Sequence, residues 1–195
     1  MNSRHKILAS ISANKPAYVD LPLINMEQVT NYNDLVEQFT TMLKSIGGEV
    51  FKLVDINDLE PLINNERKKG SLIINTINRS LAEEERINSG EIAAVLETVH
   101  KAYIKGSIGV AENGAVWISE SQMINRLLPF ICQHLVIVLE KEKLVATMHQ
   151  AYQQVNVFDE GFGVFIAGPS KTADIEQSLV IGAHGARSMT VYLLQ

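Results

Sequence analysis

Hydrophobic residues along the first half of the chain recur at spacings that alternate between helix and strand. Apolar side chains within residues 35–46 fall on one helical face, and Gly47-Gly48 ends that helix. The apolar run 50–54 predicts a strand, the spacing within 56–63 predicts a short helix, and the run 72–77 predicts a second, buried strand. Such alternation is typical of a parallel sheet with helices on its faces.

The second half of the chain supplies most of the predicted strands. Residues 78–91 are polar and rich in charge, which predicts a solvated loop or a short surface helix. Beyond them, a turn through Lys105-Gly106-Ser107 separates two strands, and the apolar spacing over 144–155 predicts another helix. The strands predicted in this half are 99–104, 115–119, 135–139, 162–167 and 189–194, and the last two are expected to close the sheet.

The beginning of the chain has a different pattern. Ile7, Leu8 and Ile11 predict a short first helix. No regular period follows it, which predicts an arm or a long connection. Because the chain has no internal repeat and no linker-like stretch, we expect one domain spanning 1–195, with 1–31 as its N-terminal helix and arm.

Composition excludes several classes of function. With 46% hydrophobic residues the chain is globular rather than disordered. Its net charge is −5, and no basic cluster is interleaved with aromatic residues, which argues against a nucleic-acid partner. The longest apolar runs are far shorter than the roughly 20 residues that span a membrane. We therefore expect a soluble, cytoplasmic protein.

Cys132 is the only cysteine in the sequence. A single thiol cannot form an intrachain disulfide and cannot ligate an iron–sulfur cluster without help from another chain. It follows an apolar stretch, so we expect a buried thiol that packs as a small hydrophobe. No His, Cys, Asp and Glu spacing fits a metal site, so this chain is expected to bind no metal or cofactor alone.

The most informative stretch for chemistry is 168–176. It is predicted to be a strand end, a turn with two hydroxyl groups, and a helix that begins near Ala173. Ser170 or Thr172 would cap that helix, whose N-terminus could bind a carboxylate or a phosphate with help from Lys171. Negative side chains in the first turns also explain the pattern as a well-capped helix with no ligand. The candidate ligand-binding residues are Gly168, Ser170, Lys171, Thr172, Asp174, Glu176 and Gly185.

His184 is the strongest candidate for acid–base chemistry. It lies between Ala183 and Gly185, two small residues that leave room for an exposed imidazole, which can move protons near pH 7. A turn histidine bonded to the backbone would have the same sequence. The glycine spacings near 168–172 and 161–163 fit neither a P-loop nor a dinucleotide fingerprint.

Glu112 is the second catalytic candidate. Ala111-Glu112-Asn113-Gly114 resembles the Ser-Glu-Asn-Gly motif of class I CoA-transferases, in which the glutamate forms an acyl-CoA thioester. A glutamate on a tight turn can act as a nucleophile or a general base. An Asn-Gly turn that only joins two elements explains the same four letters. We expect Glu112, the 168–176 stretch and His184 to line one cleft at the carboxyl ends of the strands, where open α/β sheets bind ligands.

Several blocks of the chain match the pattern of one known family. They are 3–8, 39–50, 109–116, 126–129 with 134–138, and above all 168–176 with 184–185. Together they resemble the LUD-domain family, the LutC/YkgG-like lactate-utilisation proteins. The chain departs from the family at Asn113 and Ala115, where threonines are common, and at Ala186, where proline is common. It also has Lys105-Gly106-Ser107 in place of a frequent Gly-Ala-Asp, which removes a carboxylate.

The resemblance implies an α/β fold: the NagB/RpiA/CoA-transferase-like three-layer α/β/α sandwich with a mostly parallel open sheet. It also implies an accessory or substrate-binding subunit of a system that oxidises L-lactate to pyruvate, with iron–sulfur clusters on partner proteins and a small carboxylate or phosphate as ligand. Two alternatives stay open. One is a stand-alone enzyme, either CoA-dependent through Glu112 or ATP-dependent like formyltetrahydrofolate cyclo-ligases. The other is an interaction scaffold, and a homo-oligomer is compatible with each.

Overall fold

The computed structural model describes residues 2–20, 22–25, 28, 30–78, 96–155, 160–173 and 179–195. The described helices are α1 Ser3–Ala13, α2 Leu35–Ser45, α3 Leu59–Lys68, α4 Leu128–Ile131 and α5 Met148–Gln154. The described strands are β1 Glu49–Leu53, β2 Ile73–Asn75, β3 Lys101–Lys105, β4 Ile108–Val110, β5 Ala115–Ser119, β6 His134–Glu140, β7 Leu144–Val145, β8 Gly163–Ile166, β9 Lys171–Ala173, β10 Leu179–Ile181 and β11 Ser188–Leu194.

The α2 helix shows how local sequence sets the ends of an element. The Asp34 side chain accepts hydrogen bonds from the backbone N–H groups of Val36 and Glu37, at 2.9 and 3.0 Å, and so caps the first turn. The helix ends where Gly47 adopts a φ of 88°, a conformation that glycine reaches without a steric cost. The predicted helix over 35–46 is confirmed.

The central sheet has five strands in the order β1-β11-β6-β3-β2, and every neighbouring pair is parallel. Crossover connections such as β1-α3-β2 return the chain to the amino ends of the strands before each new parallel strand begins. The prediction of an α/β fold with a mostly parallel sheet is confirmed. The predicted polar segment 78–91 lies outside the described residues except for residue 78.

The two faces of the central sheet are covered differently. On the first face, Tyr103 and Val136 pack with Leu59 and Ile63 of α3. On the second face, α2 and a second sheet pack over the strands, and the core there includes Phe39, Leu43, Ile104, Ile137 and Val191. The larger apolar core therefore lies between the two sheets.

The second sheet was not predicted as a separate unit. It has the order β7-β4-β5-β8, with antiparallel β4–β5 and β5–β8 pairs and a parallel β4–β7 pair. Val116 and Ile118 of β5 face the central sheet, whereas Trp117 faces outward and packs in a cluster with Ala151 of α5. The expectation that residues 162–167 close the central sheet is wrong, because β8 pairs with β5 in the second sheet.

The predicted N-terminal helix is present as α1, and all its residues are exposed. The described part of the arm that follows it is also exposed up to residue 25. Across the described residues, no helix combines the length and apolarity needed to cross a membrane.

Candidate functional site

The two stretches singled out by sequence meet at one edge of the central sheet. The backbone N–H of Ser170 donates to the Ala186 carbonyl at 2.9 Å, and the N–H of Gly182 donates to the Ser170 carbonyl at 3.0 Å. The N–H of Arg187 donates to the Gln133 carbonyl at 2.8 Å, which joins this loop to the residue before β6. The structure thus brings Ser170 and the His184 loop together, as expected.

This meeting point lies at the amino ends of the strands. Ser188 begins β11 and pairs with His134, which begins β6, so the loops before both strands lie at the amino edge. The expectation of a site at the carboxyl ends is wrong. The physical reason is that the polar loop reaches this edge from β8, a strand of the second sheet, whose direction is not set by the parallel central strands.

The helix predicted to begin near Ala173 is also corrected. Lys171–Ala173 forms β9, which pairs antiparallel with β10, Ile181 opposite Lys171. Thr172 lies within β9 and therefore does not cap a helix. The two carboxylate candidates, Asp174 and Glu176, lie outside the described residues.

Gly168 and Lys171 hold the polar loop on the end of α2. Gly168 has a φ of 72°, and a side-chain carbon there would come within 2.9 Å of the Ile46 carbonyl oxygen. The Lys171 ammonium group donates a hydrogen bond to that same carbonyl. A cation at the C-terminal end of a helix is also favoured by the helix dipole. Both residues therefore have structural contacts that account for their presence.

A cleft of about 270 Å³ opens beside the His184 loop. His184 and Arg187 are exposed on one side of it, and Gly182 and Gly185 leave the backbone accessible between them. No carboxylate among the described residues forms an ion pair with Arg187. The full lining comprises Phe130, Ile131, Cys132, Gln133, Gly182, Ala183, His184, Gly185 and Arg187. These groups suit a small anion, because a guanidinium binds a carboxylate or a phosphate through two parallel hydrogen bonds.

Cys132 lies in the floor of this cleft but is not a reactive thiol. It is buried, and burial raises its pKa to about 12, so the thiolate is not formed at neutral pH. Its Sγ lies 3.9 Å from the Pro129 carbonyl, a weak contact at the end of α4. The expectation that Cys132 packs as a buried hydrophobe is confirmed.

Glu112 does not line the cleft beside His184. Its backbone N–H donates to the Ala146 carbonyl at 3.0 Å, and its Oε1 accepts a hydrogen bond from the Met148 N–H, also at 3.0 Å. Met148 is the first residue of α5, so the carboxylate lies at the positive end of that helix. The structure thus separates the two catalytic candidates, although a chemical role for either stays a prediction.

The neighbours of Glu112 also have structural roles. The Asn113 side chain accepts a hydrogen bond from the Ala115 N–H at 3.0 Å. Gly114 has a φ of 70°, and a side-chain carbon there would lie 2.9 Å from the backbone N and Cα of Leu43 in α2. The Glu-Asn-Gly residues therefore form a tight turn between β4 and β5, and this turn packs directly against α2.

A row of polar side chains beside the cleft was missed by sequence reasoning. Ser188, His134 and Lys101 are aligned across β11, β6 and β3. The Nδ1 of His134 and the Oγ of Ser188 are 2.8 Å apart, and Lys101 Nζ lies 2.5 Å from Glu66 Oε1 of α3. Each of these strands begins with a polar residue that precedes an apolar run. This pattern could have predicted the polar row from the sequence.

The environment of His134 keeps its imidazole neutral. Burial lowers the pKa of His134, and the nearby His100, Lys101 and Arg187 lower it further. The rings of His100 and His134 meet edge to face with their centroids 4.9 Å apart. Deeper in the same face, burial and the charge of Glu66 raise the pKa of Tyr103 well above its usual range.

Comparison with known proteins places these features in a family. The LUD domain family matches residues 36–194. A lactate utilization protein C from Bacillus pumilus is 31% identical over 140 residues, which cover 69% of this chain and 55% of the relative. A protein of the same name from Geobacillus thermodenitrificans is 29% identical over 133 residues, covering 65% of this chain and 52% of the relative. The chain thus spans about half the length of these curated relatives.

A solved structure supports the fold independently. The crystal structure of a DUF162 family protein from Deinococcus radiodurans superposes with a TM-score of 0.58 at 13% identity, and the match covers 83% of this chain and 96% of the other. The family match extends from α2 to β11 and includes the second sheet and the cleft at the amino edge. This chain belongs to the LUD domain family.

Proposed function

We propose that this chain takes part in lactate utilisation as an accessory subunit that binds a small carboxylate and carries no redox cluster itself. The support is of two kinds. Relatives that match 65 and 69% of the chain bear the name lactate utilization protein C. The cleft at the amino edge offers a guanidinium that pairs with no described carboxylate, together with an imidazole and open backbone, to an anion of that size.

The observation that carries the proposal is the position of Arg187. Its backbone is fixed by the 2.8 Å hydrogen bond to Gln133, while its side chain is exposed at the cleft. A fixed backbone lowers the entropy that ligand binding must overcome. His184, on the same loop, supplies a second polar contact for the ligand, and it is the group we propose for moving a proton.

Docking of iron–sulfur partners is the second part of the proposal. Phe130 lines the cleft and is an exposed apolar side chain, and so are two residues next to lining segments, Leu127 before α4 and Ile181 before Gly182. An apolar rim around a polar cleft is a common form of protein interface. A partner seated there would enclose the ligand and exclude water, which strengthens charge interactions inside the cleft.

Ligand binding is tested with Arg187→Gln and a matched control, Arg126→Gln. Arg126 is exposed and pairs with Glu120 at 2.7 Å, so its removal tests loss of a positive charge away from the cleft loop. We expect L-lactate or pyruvate to bind at least tenfold more weakly to Arg187→Gln, which corresponds to about 1.4 kcal/mol, and with near-normal affinity to Arg126→Gln, measured by calorimetry. Equal affinities for wild type and Arg187→Gln would refute the site.

The role in lactate utilisation needs a separate test. A strain that lacks this chain should lose growth on L-lactate as sole carbon source and regain it with the wild-type chain but not with Arg187→Gln. Co-purified partners should show the visible absorption of iron–sulfur clusters. Normal growth of the deletion strain would refute the role, even if the cleft binds a carboxylate in solution.

Acyl transfer through Glu112 is the alternative proposal. Its geometry is less favourable, because the Glu112 carboxylate is already hydrogen-bonded to the first N–H of α5 and lies outside the described cleft. Incubation with acyl-CoAs and intact-mass analysis decides between the two. A covalent adduct that is lost in Glu112→Gln would favour the enzyme over the accessory subunit.

A further inference from the structure

The first face of the central sheet is only partly covered. Its strands are about 5 Å apart, so five of them span roughly 20 Å, whereas a helix is about 10 Å across. Among the described helices, α3 packs on this face, where its Leu59 and Ile63 contact the cluster around Tyr103 and Val136. One helix covers about half of the sheet, and no described helix packs on this face over the half formed by β1 and β11.

The half that no described helix covers presents an apolar groove. Phe51 of β1 is 49% exposed, and its ring centroid lies 5.7 Å from that of Tyr192 on β11. Leu62 of α3 is 48% exposed. Glu60 and Asn64 lie on the side of α3 opposite Leu62, about 160–200° around the helix from it. Both line a cleft beside β2. Leu62 therefore faces β1, and Phe51, Tyr192 and Leu62 form what we call the open groove.

The α1 helix has the size and the character to fill this groove. Ile7, Leu8 and Ile11 share one side of α1 and are 57, 53 and 54% exposed. With eleven residues α1 is about 16 Å long, which matches the roughly 17 Å length of the five-residue strand β1. Since α1 buries none of its residues against the described part of its own chain, its apolar side is available to a partner.

Charge favours the same pairing. The first 16 residues contain Arg4, Lys6 and Lys15 and no acidic residue, in a chain with a net charge of −5. Arg4 lies on the apolar side of α1, one turn before Leu8. Glu49 is exposed on the same face of β1 as Phe51, at the amino end of the groove. An apolar strip with a basic end thus meets an apolar groove with an acidic end.

We propose that α1 of one chain lies in the open groove of a second copy of the same chain, and that the exchange is reciprocal. Each copy then donates one helix and receives one, which is the self-complementary arrangement of a two-fold dimer. The arm that follows α1 is exposed through its described residues up to 25, so it is not anchored on its own body and is long enough to reach a neighbour.

Two single-cysteine variants test the contact directly. Leu8→Cys and Phe51→Cys, each in a Cys132→Ala background and carrying different mass tags, are mixed and treated with a short bismaleimide linker. We expect a covalent species that contains one chain of each kind. Tyr152→Cys, also an exposed apolar position but on α5 at the far side of the second sheet, is the matched control and should not link to Leu8→Cys.

The stoichiometry gives a second measurement. Light scattering should give twice the chain mass for wild type, and Leu8→Asp and Phe51→Asp should each raise the dissociation constant at least tenfold while circular dichroism stays native. A wild-type monomer at all concentrations would overturn the proposal. So would a Leu8→Cys/Phe51→Cys double variant that links within one chain, since α1 would then occupy its own groove.

Discussion

The Glu112 turn and the His184 loop have the same kind of sequence pattern, a reactive residue between small residues. They differ in whether the reactive side chain already has a structural contact. Glu112 Oε1 accepts a hydrogen bond from the α5 helix, and Gly114 is packed against the backbone of α2. On the His184 loop, Arg187 is fixed through its backbone, and the side chains of His184 and Arg187 are exposed at a cleft. A carboxylate that already accepts a structural hydrogen bond is poorly placed for chemistry. A side chain that is exposed at a cleft is available to a ligand.

The largest expected effect concerns the backbone of the Glu112 turn. Gly114→Ala should cost about 3 kcal/mol of unfolding free energy, because it combines a positive φ of 70° with a side-chain carbon 2.9 Å from the Leu43 backbone. Gly70→Ala is the matched control, since Gly70 has a φ of 87° and nothing within 4 Å of the added carbon. It should cost only about 1 kcal/mol. Urea denaturation measures both, and equal losses would show that close packing on α2 does not constrain the turn.

A smaller effect is expected at Glu112 itself. Glu112→Ala removes the acceptor for the Met148 N–H and should lower the unfolding free energy by about 1 kcal/mol, while Glu112→Gln keeps an acceptor and should lower it by a few tenths. Neither variant should alter carboxylate affinity at the His184 cleft. If Glu112→Gln weakens that affinity as much as Arg187→Gln does, the two regions form one site and the contrast between them fails.

The smallest effect belongs to the polar row beside the cleft. The pKa of His134 is lowered in the folded chain, so at mildly acidic pH the unfolded chain binds more protons at this group. Stability from His134 is therefore full above its ordinary pKa of about 6.5 and is lost as the pH falls through the lower, folded value. His134→Gln should flatten this part of the curve of unfolding free energy against pH. An NMR titration in which the His134 ring becomes protonated above pH 7 would contradict the expectation.

The helical and strand periods of the sequence predicted much of the central fold because each element there is long enough to show its period. The α2 helix buries Phe39 and Leu43 at a spacing of four, and β6 and β11 each contain a run of apolar residues. The second sheet was harder to predict, since β4 has three residues and β7 two, too few to establish any period.

The candidate site was predicted in part, and its errors have a physical cause. Ser170 and Thr172 followed by carboxylates match the signature of a capped helix, but Lys171–Ala173 pairs antiparallel with Leu179–Ile181, and the capping signature does not register that strand pairing. The expected approach of the 168–176 stretch to the His184 loop is seen in the hydrogen bond between Ser170 and Ala186. Arg187 was not singled out, because only the fold shows that its side chain opens into a cleft.

The position of β11 has a consequence for how the protein is made. This strand lies between β1 and β6, so β1 has no sheet partner until residues 188–194 have left the ribosome. Until then, β1 and β6 each present an unpaired edge that can join another chain. The nascent protein therefore holds an incomplete sheet from the synthesis of β1 until that of β11, a state in which chaperones protect chains from aggregation.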